Sequence, residues 1–73
     1  MSDYISRHRP EWEELERLVE RARRSLRGLT PEELSRLDAL YRRTTVHLAQ
    51  VATRTRDAAL ARYLNDLTAA AHS

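Results

Sequence analysis

The chain has 73 residues, with 13 arginines, no lysine and 11 acidic residues for a net charge of +2; 33% of it is charged and 41% hydrophobic. That is the balance of one small globular domain, too short for a large enzyme and not disordered. No cysteine means no disulfide framework and no thiolate metal site, and one glycine with two prolines leaves too little turn chemistry for a hairpin-rich β fold.

In chain order, Arg7-His8-Arg9-Pro10-Glu11-Trp12 opens the first strong signal. Proline suits the first helical position, and the acidic residues behind it suit the positive end of a helix dipole. Trp12, Leu15, Leu18 with Val19, Ala22 and Leu26 recur at steps of three and four. Glu11, Glu13, Glu14, Glu16 and Glu20 precede Arg21, Arg23, Arg24 and Arg27, and Gly28 stands where a C-terminal cap is expected. These signals predict a helix over about 10–27, with a short helical turn in front of it at residues 3–8.

Thr30-Pro31-Glu32-Glu33 is a capping box with proline at the first helical position. Leu34, Leu37, Tyr41, Thr44, Leu48 and Val51 alternate behind it, widened by Leu40 and His47, so a second helix is expected over about 31–53. The polar run Thr53-Arg54-Thr55-Arg56-Asp57 interrupts the pattern, and Thr55 or Asp57 can cap a third helix; a continuous helix through Arg54–Arg56 is the competing reading, because no glycine or proline breaks it. Leu60, Tyr63, Leu64, Leu67 and Ala70-Ala71 restore the period over about 58–72. The fold class is therefore all-α: a small antiparallel three-helix bundle forming a single domain, residues 1–73. Its expected core is Trp12, Leu15, Leu18, Val19, Ala22, Leu34, Leu37, Tyr41, Leu48, Val51, Leu60, Leu64 and Leu67, thin enough that a partner or a second copy would help it. The uncapped Ala69-Ala70-Ala71-His72-Ser73 reads as a helix cut from a longer parent.

No constellation in these residues supports catalysis. A single glycine excludes the phosphate-binding loops, and no serine has a visible base beside it. His8, His47 and His72 lie in different segments without an i,i+4 partner, so no metal or cofactor is expected, and His47 reads as a partly buried, hydrogen-bonded residue. Trp12 reads as a core anchor and Tyr41 as a core residue with its polar tip at the edge. The acidic residues of the first helix read as a solvated face. Residues 21–43 carry seven arginines against Glu32, Glu33 and Asp38, a local +4. Arg21, Arg23, Arg24, Arg27, Arg42 and Arg43 are thus the candidate interaction surface. Nucleic acid is disfavoured as its target, because the net charge is small and single-strand stacking platforms are missing. No small-molecule substrate is implied. The exclusive use of arginine matches a GC-rich bacterial genome.

The order of these signals carries a resemblance. Arg7-His8-Arg9-Pro10-Glu11-Trp12-Glu13, then Leu29-Thr30-Pro31-Glu32-Glu33-Leu34, Leu40-Tyr41-Arg42-Arg43, Arg62-Tyr63-Leu64-Asn65-Asp66-Leu67 and Ala70-Ala71-His72 together resemble the N-terminal region of the stage II sporulation protein M family of bacterial membrane proteins. The resemblance covers essentially the whole chain. It implies a non-catalytic helical region on the cytoplasmic face of the inner membrane, ahead of transmembrane helices. It supplies no catalytic residues; a protein partner, or self-association as a homodimer, is expected instead from the thin core and the long Leu34–Val51 stripe.

Overall fold

The computed structural model describes residues 2–25 and 28–72 and contains three helices: α1 (Ser2–Arg24), α2 (Pro31–Arg54) and α3 (Ala58–His72). Each packs against the other two. The result is an all-α three-helix bundle measuring 38 × 20 × 15 Å. Its radius of gyration of 12.5 Å exceeds the roughly 11 Å of a compact globule this size. The excess fits two long helices, α1 with 23 residues and α2 with 24, which span about 35 and 36 Å at 1.5 Å per residue.

α1 departs from expectation at both ends. It begins at Ser2, so residues 3–8 belong to one continuous helix and Pro10 lies inside it rather than at its first position. An interior proline forfeits one backbone hydrogen bond, and Pro10 and Ser6, one turn before it, are both exposed residues. Tertiary contacts hold the leading turns. The Tyr4 hydroxyl donates to Gln50 Oε1 on α2 at 2.9 Å, and Ile5 packs on the core. In consequence Glu11, Glu13 and Glu14 sit mid-helix, away from the dipole's positive end, and Asp3 alone is acidic in the first turn. The helix closes at Arg24, short of the expected residue 27; Leu26 and Arg27 lie outside the described residues.

Gly28 is not a left-handed cap, since no described residue has a positive φ. Its N–H donates to the Ser25 carbonyl at 3.0 Å. A Cβ there would stand 3.1 Å from that oxygen and 3.3 Å from the Arg21 carbonyl, tight enough that the backbone would have to give by a few tenths of an ångström. The capping box forms as expected: Glu33 N–H donates to Thr30 Oγ1 at 3.1 Å, and Thr30 N–H to Glu33 Oε1 at 2.9 Å. At the second connection Thr55 caps the end of α2 and Asp57 the start of α3, its carboxylate accepting from Leu60 N–H at 3.0 Å.

The core differs from the expected one on α2. Trp12, Leu15, Leu18, Val19, Val51, Leu60, Leu64 and Leu67 are buried as expected, joined by Leu29 and Leu40. Ala22, Leu37, Tyr41 and Leu48 are only half-buried, and Leu34 is exposed. The buried seam of α2 runs Leu40, Thr44, His47, Val51. Relative to the apolar stripe in the sequence, the helix is turned by about 60° at 3.6 residues per turn. Hydrophobicity favours Leu48 over His47 at the centre, but a buried indole N–H needs an acceptor. His47 supplies it, and α2 turns to deliver it.

Candidate functional site

Tyr4, His8 and Trp12 recur every four residues along α1 and form one aromatic stripe facing α2. The His47 ring lies against it, with centroids 4.1 Å from His8, 5.9 Å from Trp12 and 6.0 Å from Tyr4. Tyr63 of α3 closes the far side, 6.1 Å from Trp12, and its hydroxyl donates to Glu16 of α1. All three helices therefore meet around a single indole.

The polar atoms of this cluster are unevenly satisfied. Trp12 Nε1–H donates to His47 Nδ1 at 2.9 Å, which makes Nδ1 the acceptor and places the proton of the neutral ring on Nε2. Burial holds His47 below the ordinary histidine value, with His8 and Arg43 adding to the effect and Glu11 opposing it. Arg43 donates to Glu11 Oε2 at 2.7 Å. Glu11 Oε1, His8 Nδ1 and Thr44 Oγ1 are buried atoms without a hydrogen-bond partner. One ligand-capable atom from each of His8, Glu11 and His47 lies within 4.8 Å of the other two.

A family model described as a domain of unknown function, DUF8413, matches residues 2–73. The chain belongs to the DUF8413 family. No curated protein and no solved structure matches it. That description names no activity, so function has to be read from this DUF8413 chain's own surfaces and clusters. No helix among the described residues is long and apolar enough to cross a membrane.

The six arginines singled out in the sequence are dispersed rather than gathered. Arg21 pairs with Glu33 and donates to the Gly28 carbonyl at 2.8 Å. Arg43 pairs with Glu11, Arg24 with Glu20 at 3.6 Å, and Arg42 with Asp38 at 3.2 Å. Arg23 is exposed near the end of α1, and Arg27 lies outside the described residues. Four of the six thus have a carboxylate beside them, which lowers the field they present to solvent. A further arginine, Arg36, joins Glu14 in a two-pronged pair at 2.8 and 2.9 Å. Glu11–Arg43, Glu14–Arg36 and Arg21–Glu33 form a ladder down the α1–α2 seam. Two of the glutamates read from the sequence as a solvated face therefore hold the neighbouring helix.

The histidine pair escapes inspection of single helices because its members lie in different elements. A signal does exist once the two helices are folded as a hairpin. Tyr4–Gln50, Glu11–Arg43 and Arg21–Glu33 all have position 27 as their sequence midpoint, and His8 faces His47 in nearly the same register.

Proposed function

We propose that the chain is a non-catalytic helical interaction module, the cytosolic part of a bacterial membrane protein of the stage II sporulation protein M kind, acting at the inner face of the membrane. The observation supporting the binding role is the unused part of the α2 stripe. Leu34 is 53% exposed, and Leu37, Tyr41 and Leu48 are half-buried on the same line of the helix. A second copy or a protein partner seated there would cover what the intramolecular core leaves open. Tyr41 stacks on His72 at 6.1 Å, so this strip reaches the last turn of α3. The membrane assignment rests on the ordered resemblance along the sequence.

Two experiments test the two halves. Light scattering across a concentration series should show a dimer that Leu34→Asp weakens. A monomer at every concentration, with a sharp thermal transition, would refute self-association. The reading frame beyond Ser73 tests the other half: hydrophobic spans there support it, and a stop codon sinks it.

A further inference from the structure

The geometry points to a divalent transition-metal site built from His8, Glu11 and His47 between α1 and α2. His8 and Glu11 lie three residues apart on one face of α1, and His47 approaches from α2. Two buried acceptors, His8 Nδ1 and Glu11 Oε1, have no hydrogen-bond partner. Most buried polar atoms in proteins have a partner, and a cation would satisfy both of these at once. The donor set of two imidazoles and one carboxylate suits zinc, cobalt or nickel rather than magnesium or calcium, which take oxygen ligands. Three protein ligands leave a fourth position for water.

The ligand atoms lie within 4.8 Å of one another. Around a tetrahedral ion with bonds of about 2.0–2.1 Å they would stand about 3.3 Å apart, so the site closes by up to about 1.5 Å through side-chain motion. Two groups oppose closure. The Arg43 guanidinium on Glu11 Oε2 repels a cation. The Trp12–His47 hydrogen bond must also break, whichever nitrogen of His47 binds. At Nδ1 the metal takes the accepting lone pair; at Nε2 the ring proton moves to Nδ1 and faces the indole N–H. Binding is therefore reported by Trp12, the single tryptophan of the chain.

The test uses the full chain after chelator treatment, titrated with Zn2+ and Co2+ by calorimetry and by Trp12 fluorescence. One-to-one binding is expected, with Co2+ quenching Trp12. His8→Ala and Glu11→Gln should each weaken Zn2+ binding by on the order of tenfold or more. Glu11→Gln keeps the side-chain shape and serves if His8→Ala fails to fold. Arg43→Gln should tighten binding several-fold, and His72→Ala should leave it unchanged. An ordered water would satisfy the same two acceptors, so the absence of saturable Zn2+ binding overturns the proposal. Binding that survives both His8→Ala and Glu11→Gln, or is lost in His72→Ala, overturns it equally.

Discussion

Thr44 offers the sharpest test of the packing argument, because its replacement should stabilise the protein. The residue is 0% exposed at the middle of the α2 seam, and its Oγ1 has no hydrogen-bond partner. Leaving a buried hydroxyl unsatisfied costs about 1–3 kcal/mol. Thr44→Val removes that cost with almost no change of shape, and valine differs little from threonine in helix propensity. The added methyl contributes at most about 0.8 kcal/mol where it finds room. A net gain of about 1–3 kcal/mol is expected, or about 4–8 °C in Tm for each kcal/mol in a domain of this size. Thr68→Val is the control. Thr68 is also buried, but its hydroxyl donates to the carbonyls of Leu64 and Asn65, both at 3.0 Å. There the lost bond, about 0.5–1.5 kcal/mol, and the gained methyl nearly cancel. Urea unfolding followed by circular dichroism, with thermal melts, measures both variants. A Thr44→Val protein no more stable than the wild type, or a Thr68→Val protein that gains as much, would refute the reasoning.

Three other substitutions or conditions probe separate parts of the fold. Thr30→Ala removes the capping box and should cost about 1 kcal/mol in urea unfolding, within the 0.5–2 usual for such caps. Pro10→Ala restores a backbone donor inside α1 and should raise stability by about 2–3 kcal/mol, since an interior proline costs about 3 and proline's stiffening of the unfolded chain returns up to about 1; slower amide exchange in residues 6–14 is the readout. The pH profile should fall away on both sides. Glu14, hydrogen-bonded by Arg36, and Glu33, hydrogen-bonded by the Thr30 backbone and Arg21, lie below the ordinary 4.5. Their stabilisation is present above that value and is lost as pH falls through their lowered values. Tyr63 lies above its ordinary 10.0, through burial and its hydrogen bond to Glu16, so its contribution is lost as pH rises past 10.0. Melts recorded against pH check both limbs, and Tyr63→Phe should flatten the alkaline one.

What the sequence determined by itself is local. The capping box at Thr30–Glu33, the break at residues 55–57 and the start of α3 at Ala58 are written in neighbouring residues. Their physics acts over a single turn, so the caps are legible without a partner, and the structure decides for the break over a continuous helix through Arg54–Arg56. The continuity of α1 through Pro10 is not local: the proline argues for a start, and the contacts of Tyr4 and Ile5 with the rest of the bundle override it. The rotation of α2 is of the same kind. Periodicity locates a stripe, but the choice between Leu48 and His47 for its buried edge depends on an indole that lies 35 positions away.

Only the tertiary structure decided the cluster of His8, Glu11 and His47 and the charge ladder. A helix specifies which residues share a face, with neighbours three and four apart. It says nothing about which face of another helix will oppose it, or in what register. Antiparallel helices rise equally per residue, so one register constant places Tyr4 by Gln50, His8 by His47, Glu11 by Arg43 and Arg21 by Glu33. The same antiparallel packing buries Trp12 against His47. The residues were legible from the start; their juxtaposition depended on that one number.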